Sequence, residues 1–467
     1  MTETIRSVAD IIRNKVLNYM GVERDLAELL ADKDIGRVMA MLQNRDDEVN
    51  AALNEFTPEL HKVMNREDKV RDGKDPYRVE KLPRSRQRYI NEVELFFLFG
   101  KPVEWNDITP NGGDDAYEEF MKELKDLRFN SLMRQLKRVA GSETEAALLF
   151  HFYNDEDKPQ VRPLVLSYSE GYKLRPLIDQ YGNMLAFGYG YSLREGKKTV
   201  EHFDVQTADY LYYCKKGNVG WEVEVKDNPT GKINVVYVRQ KKAWDGAQLR
   251  IEREEKIDSN MADTNNYFAS PMAKATADVI DGLGDPERPG KMIQLMGDDS
   301  QFEYINPPIA SELLAQERAA LRESILFDTF TPDLSFEALK GMGTLSGEAI
   351  ERAMTIGMLK ASNLQEIYSV VIDRTKNIIL AIMKNLTHVS MAGQLDSLIV
   401  EHEFVSPFGK DIMAKWQAIG QAYNNGVLSL EEAVRQIGIS DNPDEEIERI
   451  KKAETQKQTM SIFEPTY

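Results

Sequence analysis

The residue group nearest to a catalytic motif is a glycine-lysine pattern in the second half of the chain. Gly284 and Gly290, followed by Lys291 and Met292, superficially resemble a phosphate-binding loop. That loop has four residues between its glycines and a Ser or Thr after the lysine, because the hydroxyl ligates Mg²⁺. Here five residues separate the glycines, and Met292 cannot take that role. The pattern therefore predicts no nucleotide site.

Two acidic runs could present carboxylates to a cation. Asp298 and Asp299 follow a glycine, and the run from Asp155 to Asp157 lies near His151. Short acidic runs are more typical of turns, where their side chains hydrogen-bond the nearby backbone. We therefore interpret both runs as turns. A metal-dependent DNA-processing enzyme that uses Asp298 and Asp299 stays open as an alternative.

The histidines and the cysteine show no catalytic spacing. Glu401 to Glu403, with His402 between them, lie on a predicted strand, where alternate side chains point to opposite faces and cannot bind one ion together. Cys214 lies within another predicted strand, as expected of a buried residue rather than a nucleophile. The sequence contains no HExxH, HxxxH or GxSxG pattern. It therefore predicts no enzyme, no metal site and no cofactor.

Composition limits the class of protein. The 467 residues allow about three domains, and 42% apolar with 29% charged residues is typical of soluble globular chains. The net charge of −18 argues against nonspecific wrapping of nucleic acid, which needs clustered Lys and Arg, but not against a surface past which DNA slides. With one cysteine no internal disulfide is possible, and we expect neither a signal peptide nor a membrane span.

The first half of the chain combines helices with a β-meander. Apolar spacing predicts helices over residues 1–60, 86–99 and 116–139. The period changes to two over 184–238, which predicts the meander, with a hairpin of 209–215 and 221–226. The most basic segment is 66–88, which predicts an exposed, solvated connector unless DNA or a partner lies nearby.

Residues 246–269 predict a polar helix in which acids outnumber bases. Its apolar stripe is thin, so the helix lacks the apolar area to fix itself to its own chain alone. We therefore expect it to pack against other copies of the chain. A Pro/Gly-rich, α/β-like insertion, 270–307, follows it. The stripe consists of Ala247, Leu249, Ile251, Ile257 and Met261.

The stretch from Pro308 to Thr387 predicts a helix, a loop and a second helix of unusual length. Pro332 and two glycines interrupt the loop, so no helix can run through it. From a cap at Ser346, a 3.6-residue apolar period continues for about 40 residues, or roughly 60 Å. Its apolar positions over 370–383 point in several directions, so we expect neighbours on several sides. A strand at 395–405 and two short capped helices, one starting at Ser429, follow it.

Four stretches occur in an order that resembles one family. They are the run from Phe97 to Val103, the turn from Asn228 to Val236, the pair Thr331–Ser335 and Ser346–Ala349, and the segment 427–450. They are similar to motifs of the portal (head-to-tail connector) proteins of tailed bacteriophages. There, LFGKPV follows the first wing helix, an N-x-x-G turn precedes the stem, PDLS and SGxA bracket the tunnel loop, and the last pattern closes the crown. The resemblance covers about residues 85–452.

This sequence departs from the family's pattern in two places. Asn234 stands where the family usually has proline, which puts the geometry of strand entry into the stem in doubt. The crown is short and ends without an extended acidic tail. No motif of the family could be assigned within residues 1–60.

The resemblance implies an α+β, portal-type fold. It combines a helix-rich wing and β-meander with a two-helix stem, a small α/β clip, a long wing helix and a short helical crown. The expected domains are the wing (1–245), first stem helix (246–269), clip (270–307), second stem helix (308–328), tunnel loop (329–346), long wing helix with a returning strand (347–408) and crown (409–467).

The resemblance also implies a function without catalysis. The chain would form a ring, typically of twelve subunits, at one capsid vertex of a virion, after assembly in the host cytoplasm. Double-stranded DNA would be packaged and ejected through its channel. Expected partners are other copies of the chain, terminase, head-completion or adaptor proteins, and the major capsid and scaffolding proteins, but no membrane. Another ring-forming head-completion protein is a further alternative.

Two residue groups are expected to contact partners. Arg288 and Lys291, in the clip, would dock terminase, with simple loop solubility as the alternative. Lys340, in the tunnel loop, would touch DNA phosphates weakly, at about 1 kcal/mol or less per contact. The alternative is that the loop's apolar residues only pack on neighbouring copies. The tunnel-loop residues are Pro332, Asp333, Leu334, Ser335, Phe336, Lys340, Gly341 and Gly343.

Overall fold

The protein was described by a computed structural model. It describes residues 26–68, 78–110, 114–155, 158–268, 273–275, 302–304, 311–335, 338, 340, 354–408, 419–437 and 445–452. The chain divides into two compact units, one of residues 1–333 and 356–405 and the other of 334–355 and 406–467. Helices and strands are mixed, in agreement with the expected α+β class.

The helices account for more of the described chain than the strands do. In chain order they are α1 (26–31), α2 (Ile35–Met41), α3 (Asp46–Phe56), α4 (Arg86–Phe99), α5 (Asp114–Asp126), α6 (Phe129–Glu143), α7 (Gln248–Phe268), α8 (Ser311–Asp328), α9 (Thr355–Ile382), α10 (Ala392–Ser397), α11 (Leu430–Ile437) and α12 (445–452), with a further helical segment at 419–424. Among the described residues, none of these helices is long and apolar enough to cross a membrane.

The strands form antiparallel sheets. One is a five-stranded meander in sequence order, and another has three strands in the order β3-β2-β9. Two ribbons pair β1 with β12 and β10 with β11. The strands are β1 (Glu104–Asp107), β2 (Glu145–Asp155), β3 (Lys158–Leu166), β4 (Lys173–Ile178), β5 (Met184–Glu195), β6 (Lys198–Gln206), β7 (Tyr210–Lys216), β8 (Trp221–Asp227), β9 (Val235–Arg239), β10 (Ala273–Ala275), β11 (Phe302–Tyr304) and β12 (Val400–Glu403).

The long helix α9 runs through the largest apolar core. It has 28 residues, about 42 Å at 1.5 Å per residue, and continues into a π-helical turn at Met383–Thr387. Tyr368, Ile372 and Ile379 are buried against helices α4 to α6 and strand β2. The expected cover on several sides is confirmed, and so is the end of the helical run at Thr387. The expected start at Ser346 lies outside the described residues.

The period-two pattern predicted strands β5 to β8 of the meander, but its expected span of 184–238 is wrong at both ends. The meander begins earlier, with β4, and β9 pairs with β2 in the other sheet. The hairpin pairs Tyr210 with Asp227 and Lys216 with Trp221, as expected. Cys214 is buried in it, and burial with the charge of Asp204 raises its pKa to about 12. Of the acidic run near His151, Asp155 is the last residue of β2, and the other two residues lie outside the described part of the chain, so the expected turn stays a prediction.

Two predicted elements differ from the structure. The single helix expected over 116–139 is two helices, because Arg128 takes a left-handed conformation (φ 55°) between them. The strand expected over 395–405 is only β12, and helix α10 occupies residues 392–397. In the second unit, the Ser429 Oγ accepts a hydrogen bond from the Glu432 N–H (3.2 Å), which confirms the expected cap of α11.

Candidate functional site: the paired polar helices and the loop after them

Helices α7 and α8 lie against each other and are joined by ion pairs. Arg250 contacts Asp328 at 2.6 Å, and Arg253 contacts Glu317 at 2.8 Å. Most of these side chains are partly exposed, so each pair contributes about 1 kcal/mol or less. The pairs set which faces of the two helices meet.

Buried carboxylates of α7 hold the helix to the segment before α4. Each of them has a basic partner on that segment or at the start of α4. The contacts are Glu254 to Arg86 (2.6 Å), Glu255 to His61 (2.6 Å), Asp263 to Arg66 (2.8 Å), and Asp258 to Arg84; Asp258 also contacts Arg318 of α8 at 3.0 Å.

Backbone groups of residues 80–84 add to this attachment. The N–H of Glu80 donates to Asp263 (2.6 Å), that of Leu82 to the Ser259 hydroxyl (3.0 Å), and that of Arg84 to Glu255 (2.8 Å). An extended segment that lacks strand partners thus satisfies its donors on one helix, as buried backbone must.

These contacts correct two sequence expectations. The prediction that α7 cannot be fixed to its own chain is wrong, because buried ion pairs and hydrogen bonds replace the missing apolar area. The prediction of a solvated connector over 66–88 is wrong for Arg66 and for most of residues 80–86, which contact α7, whereas Glu67, Asp68 and Arg78 are exposed as expected. The sequence contained a usable signal for this attachment. It is the combination of the acidic residues of α7 with the basic segment that precedes α4.

The contacts also shift proton affinities. The hydrogen bonds that Arg86 donates to Glu254 raise the pKa of Arg86 above its ordinary value. Burial lowers the pKa of His61, but the hydrogen bond and charge of Glu255 raise it more, so the net shift is upward. The cationic forms on this side of α7 are therefore favoured.

Helix α8 is covered much less than α7. Ile325 is buried, but Leu313 is 65% exposed and Phe327 is 70% exposed. Glu312 and Glu323 are exposed as well. Large apolar side chains that are exposed on a helix indicate a surface that another molecule can cover.

The base of the loop after α8 is fixed. Thr331 and Pro332 are buried, and the Tyr89 hydroxyl donates to the Pro332 carbonyl oxygen (2.9 Å). Asp333 accepts two hydrogen bonds from Arg322, at 2.7 and 3.0 Å. Pro332 and Asp333 therefore anchor the loop to α4 and α8.

The other expected loop residues are less constrained or lie outside the described part. Leu334 and Ser335 are half-buried, and the Ser335 Oγ accepts from the Ala338 N–H at 3.4 Å. Lys340 is exposed. The remaining expected site residues, Phe336, Gly341, Gly343, Arg288 and Lys291, and the alternative pair Asp298 and Asp299, lie outside the described residues.

A buried group of two lysines and one glutamate lies where the two polar helices join the core. The Glu94 carboxylate accepts from Lys137 Nζ and from Lys360 Nζ, each at 2.6 Å. Burial lowers the pKa of both lysines, whereas their charges hold that of Glu94 below its ordinary value despite burial. The Glu94 carboxylate is thus the counter-ion of two buried ammonium groups.

Lys360 connects this group to both polar helices. Its Nζ also donates to the carbonyl oxygen of Ala243, just before α7, and to that of Thr329, just after α8, at 3.1 and 2.6 Å. Sequence reasoning missed the group. Lys137 follows Met133 and Leu136 on the buried face of α6, and a lysine in an apolar stripe was the available signal.

The described part of the chain was searched for groups of residues that could bind a metal ion. No group of three His, Cys, Asp or Glu residues there could hold an ion. On β12, His402 contacts Ser369 (3.1 Å) and Asp373 (3.3 Å), both on α9. These contacts attach the strand to the long helix.

Comparisons with known proteins place the chain. No curated protein matches it significantly. The neck of a native gene transfer agent particle, computed with C12 symmetry, is similar in structure at 14% identity over 77% of this chain and 91% of that chain, with a TM-score of 0.44. The virion of the native particle (14%, 76% and 89%, 0.41) and the neck of an empty particle with C6 symmetry (14%, 76% and 90%, 0.40) are also similar. The model of one family, described as phage portal protein, SPP1 Gp6-like, matches residues 35–460. The chain therefore belongs to the SPP1 Gp6-like family of phage portal proteins.

Proposed function

We propose that this portal protein assembles into a ring at one capsid vertex and forms the channel through which double-stranded DNA enters and leaves the particle. The observation that carries the ring is the uncovered face of α8. Leu313 and Phe327 are largely exposed there, although the rest of the unit buries an extensive core. A second copy of the chain is the partner that a ring would supply.

The outer faces of the two polar helices are suited to head-to-tail association. Lys256 is exposed on α7, and Glu323 is exposed on α8. Two different patches that complement each other form a heterologous contact, and repeating it generates a ring when the rotation closes. The number of subunits, twelve by family resemblance, follows from that rotation.

Acidic character supports a conduit that does not bind DNA tightly. The chain carries a net charge of −18. Carboxylates facing a channel repel phosphates within a Debye length of about 8 Å at physiological salt. Such a surface lets DNA slide during packaging and ejection.

The tunnel loop (329–346) would contact DNA in this ring through Lys340. Its base is fixed at Pro332 and Asp333, and Lys340, later in the loop sequence, is exposed. Lys340→Ala should assemble normally but package or retain less DNA, whereas Phe336→Ala should disturb the ring. Wild-type packaging rate and DNA retention in the lysine variant would leave the loop with a packing role only.

The remaining domain assignments complete the proposal. The clip (270–307) would dock terminase and the adaptor proteins through Arg288 and Lys291, and the wing and crown would contact capsid and scaffolding proteins. Arg288→Glu with Lys291→Glu should leave rings intact but abolish terminase-dependent packaging. No catalytic step is assigned to the portal itself.

Electron micrographs of the purified protein test the central claim. We expect rings with a central hole, and light scattering well above the 53.3 kDa of one chain. Compact particles of about that mass, at micromolar concentration and across salt conditions, would contradict the ring.

A further inference from the structure

A cleft between the long helix α9 and the β-meander concentrates positive charge. It has a volume of about 490 Å³. Its walls come from α9, from the start of β5 and from the turn before β9, and all of them belong to the first unit. Its lining contains two cations, Arg374 on α9 and Lys232 in the turn.

Both cations have only neutral partners among the described residues. Arg374 Nε donates to the Val235 carbonyl oxygen (3.2 Å), and Arg374 Nη2 contacts the Met184 sulfur (3.8 Å). Lys232 Nζ donates to the Asn377 carbonyl oxygen (3.2 Å), about one helical turn after Arg374 on α9. Within the described chain, neither cation forms an ion pair.

The two positive charges lie close enough to affect each other. Partial burial lowers the pKa of Lys232, and the charges of Lys384 and Arg374 lower it further. Burial also lowers the pKa of Arg374. Both shifts mean that the protein disfavours the charged forms, so an anion bound between the two groups would be stabilised by both.

One carboxylate lines the same cleft, but it is paired with other groups. Asp373 contacts Lys376 Nζ at 3.0 Å and His402 Nδ1 at 3.3 Å. Its charge is therefore balanced mainly by Lys376. The described residues supply no counter-ion of their own for Arg374 and Lys232.

The remaining donors suit a phosphate group with two negative charges. A guanidinium has five N–H donors and an ammonium has three, and Arg374 Nη1 has no acceptor among the described residues. Phosphate oxygens can accept from a guanidinium fork and from an ammonium at the same time. A phosphate monoester carries a charge of about −1.5 to −2 at pH 7, which matches two cations, whereas a carboxylate carries only one charge.

The rest of the cleft favours a small ester over DNA. Val370 is 67% exposed there, and Ile233 also lines the cleft, so an organic group next to the phosphate would cover apolar surface. A DNA backbone carries one charge per phosphate and needs a track of several cations, which two residues do not provide. The fitting ligand is therefore small and dianionic.

We propose that this cleft binds a dianionic phosphate group, either free phosphate or a small phosphate monoester, between Arg374 and Lys232. In the monoester, the organic group contacts Val370. The bound phosphate would connect α9 to the turn before β9 and so fasten the long helix to the sheets. The proposal does not depend on ring formation or on the passage of DNA.

Isothermal titration calorimetry of the full-length protein, at constant ionic strength and near neutral pH, tests the site. The probes are inorganic phosphate, phenyl phosphate and acetate. We expect inorganic phosphate to bind at least about tenfold more tightly than acetate, because the second charge adds a charge-assisted hydrogen bond. Tighter binding of phenyl phosphate supports a monoester as the ligand, and equal affinity supports free phosphate.

Variants locate the binding. Arg374→Gln and Lys232→Gln should each weaken phosphate binding at least about tenfold. Lys173→Gln is the control, because Lys173 is an exposed lysine of β4 that also forms no ion pair among the described residues but lies outside this cleft. This variant should bind phosphate as the unchanged protein does.

Two outcomes overturn the proposal. One is phosphate that binds no more tightly than acetate. The other is phosphate affinity that is unchanged in Lys232→Gln or falls equally in Lys173→Gln. The urea midpoint of each variant shows whether it folds. If Arg374→Gln does not fold, Lys232→Gln decides alone, because Lys232 is exposed in a turn and its side chain can be replaced without opening the core.

Discussion

Helices α7 and α8 pack side by side, but the burial of each differs from what its sequence suggests. Polar α7 buries its charged side, with Glu254, Glu255 and Asp258 paired inside the unit. The more apolar α8 leaves Leu313 and Phe327 in solvent. The difference shows that charge pairing fixes α7 within one chain, while Leu313 and Phe327 of α8, like Leu249 of α7, stay exposed in a single copy. The following predictions test that division.

The largest effect should come from Glu94, because its two lysines hold both helices to the core. Glu94→Gln leaves two buried ammonium groups without a counter-charge, which should cost about 4 kcal/mol of unfolding free energy. The urea midpoint, followed by fluorescence of the buried Trp244, measures it. Glu92→Gln is the control. Glu92 lies on α4, as Glu94 does, but its ion pair with Arg138 is in solvent, so this substitution should change stability by less than about 1 kcal/mol.

The next effect separates the two helices directly. Glu254→Ala leaves the Arg86 guanidinium largely enclosed without its carboxylate and should cost about 3 kcal/mol. Glu323→Ala, on the exposed face of α8, should stay within about 0.5 kcal/mol in the same urea experiment. Similar losses in both variants would show that α8 is fixed within the chain as firmly as α7.

For ring assembly, substitutions on α8 should have a larger effect than they have on the stability of one chain. Leu313→Ser with Phe327→Ser should leave the unfolding midpoint of the separated chain nearly unchanged but weaken ring formation at least about tenfold, because both side chains are exposed in one copy. Analytical ultracentrifugation across concentration measures this. Lys256→Glu should weaken rings too, and Lys256→Glu with Glu323→Lys should recover part of the loss. Rings unchanged in all variants would move the interface elsewhere.

The smallest effect is a pH dependence confined to α7. The folded pKa of His61 is raised, so its contribution to stability is present below the unfolded pKa of about 6.5 and is lost as pH rises through the folded pKa. Hydrogen exchange in α7 should therefore be slower at pH 6 than at pH 8.5, after correction for intrinsic rates. His61→Gln should remove most of that difference. A difference that persists would assign it to another group.

The sequence predicted elements whose signal is local. The end of α4 at Gly100, the hairpin of β7 and β8, and the cap at Ser429 each depend on a few neighbouring residues. It failed where a distant partner decides. The attachment of α7 needs arginines more than 160 positions away, and Lys137 is tolerated in the core only because Glu94 meets it. Arg128 adopts a left-handed conformation, and no glycine at that position indicates the break between α5 and α6 in the sequence.

The α7 contacts also imply an unusual response to heat. Stabilisation by apolar area changes with temperature through the heat capacity of exposed surface, whereas the cost of dehydrating charged groups falls as temperature rises. The side of α7 that rests on Glu254, Asp258 and Asp263 buries charge rather than hydrocarbon. On warming, this attachment should therefore weaken less than the apolar packing of the meander, and α7 should be among the last helices to separate from the unit.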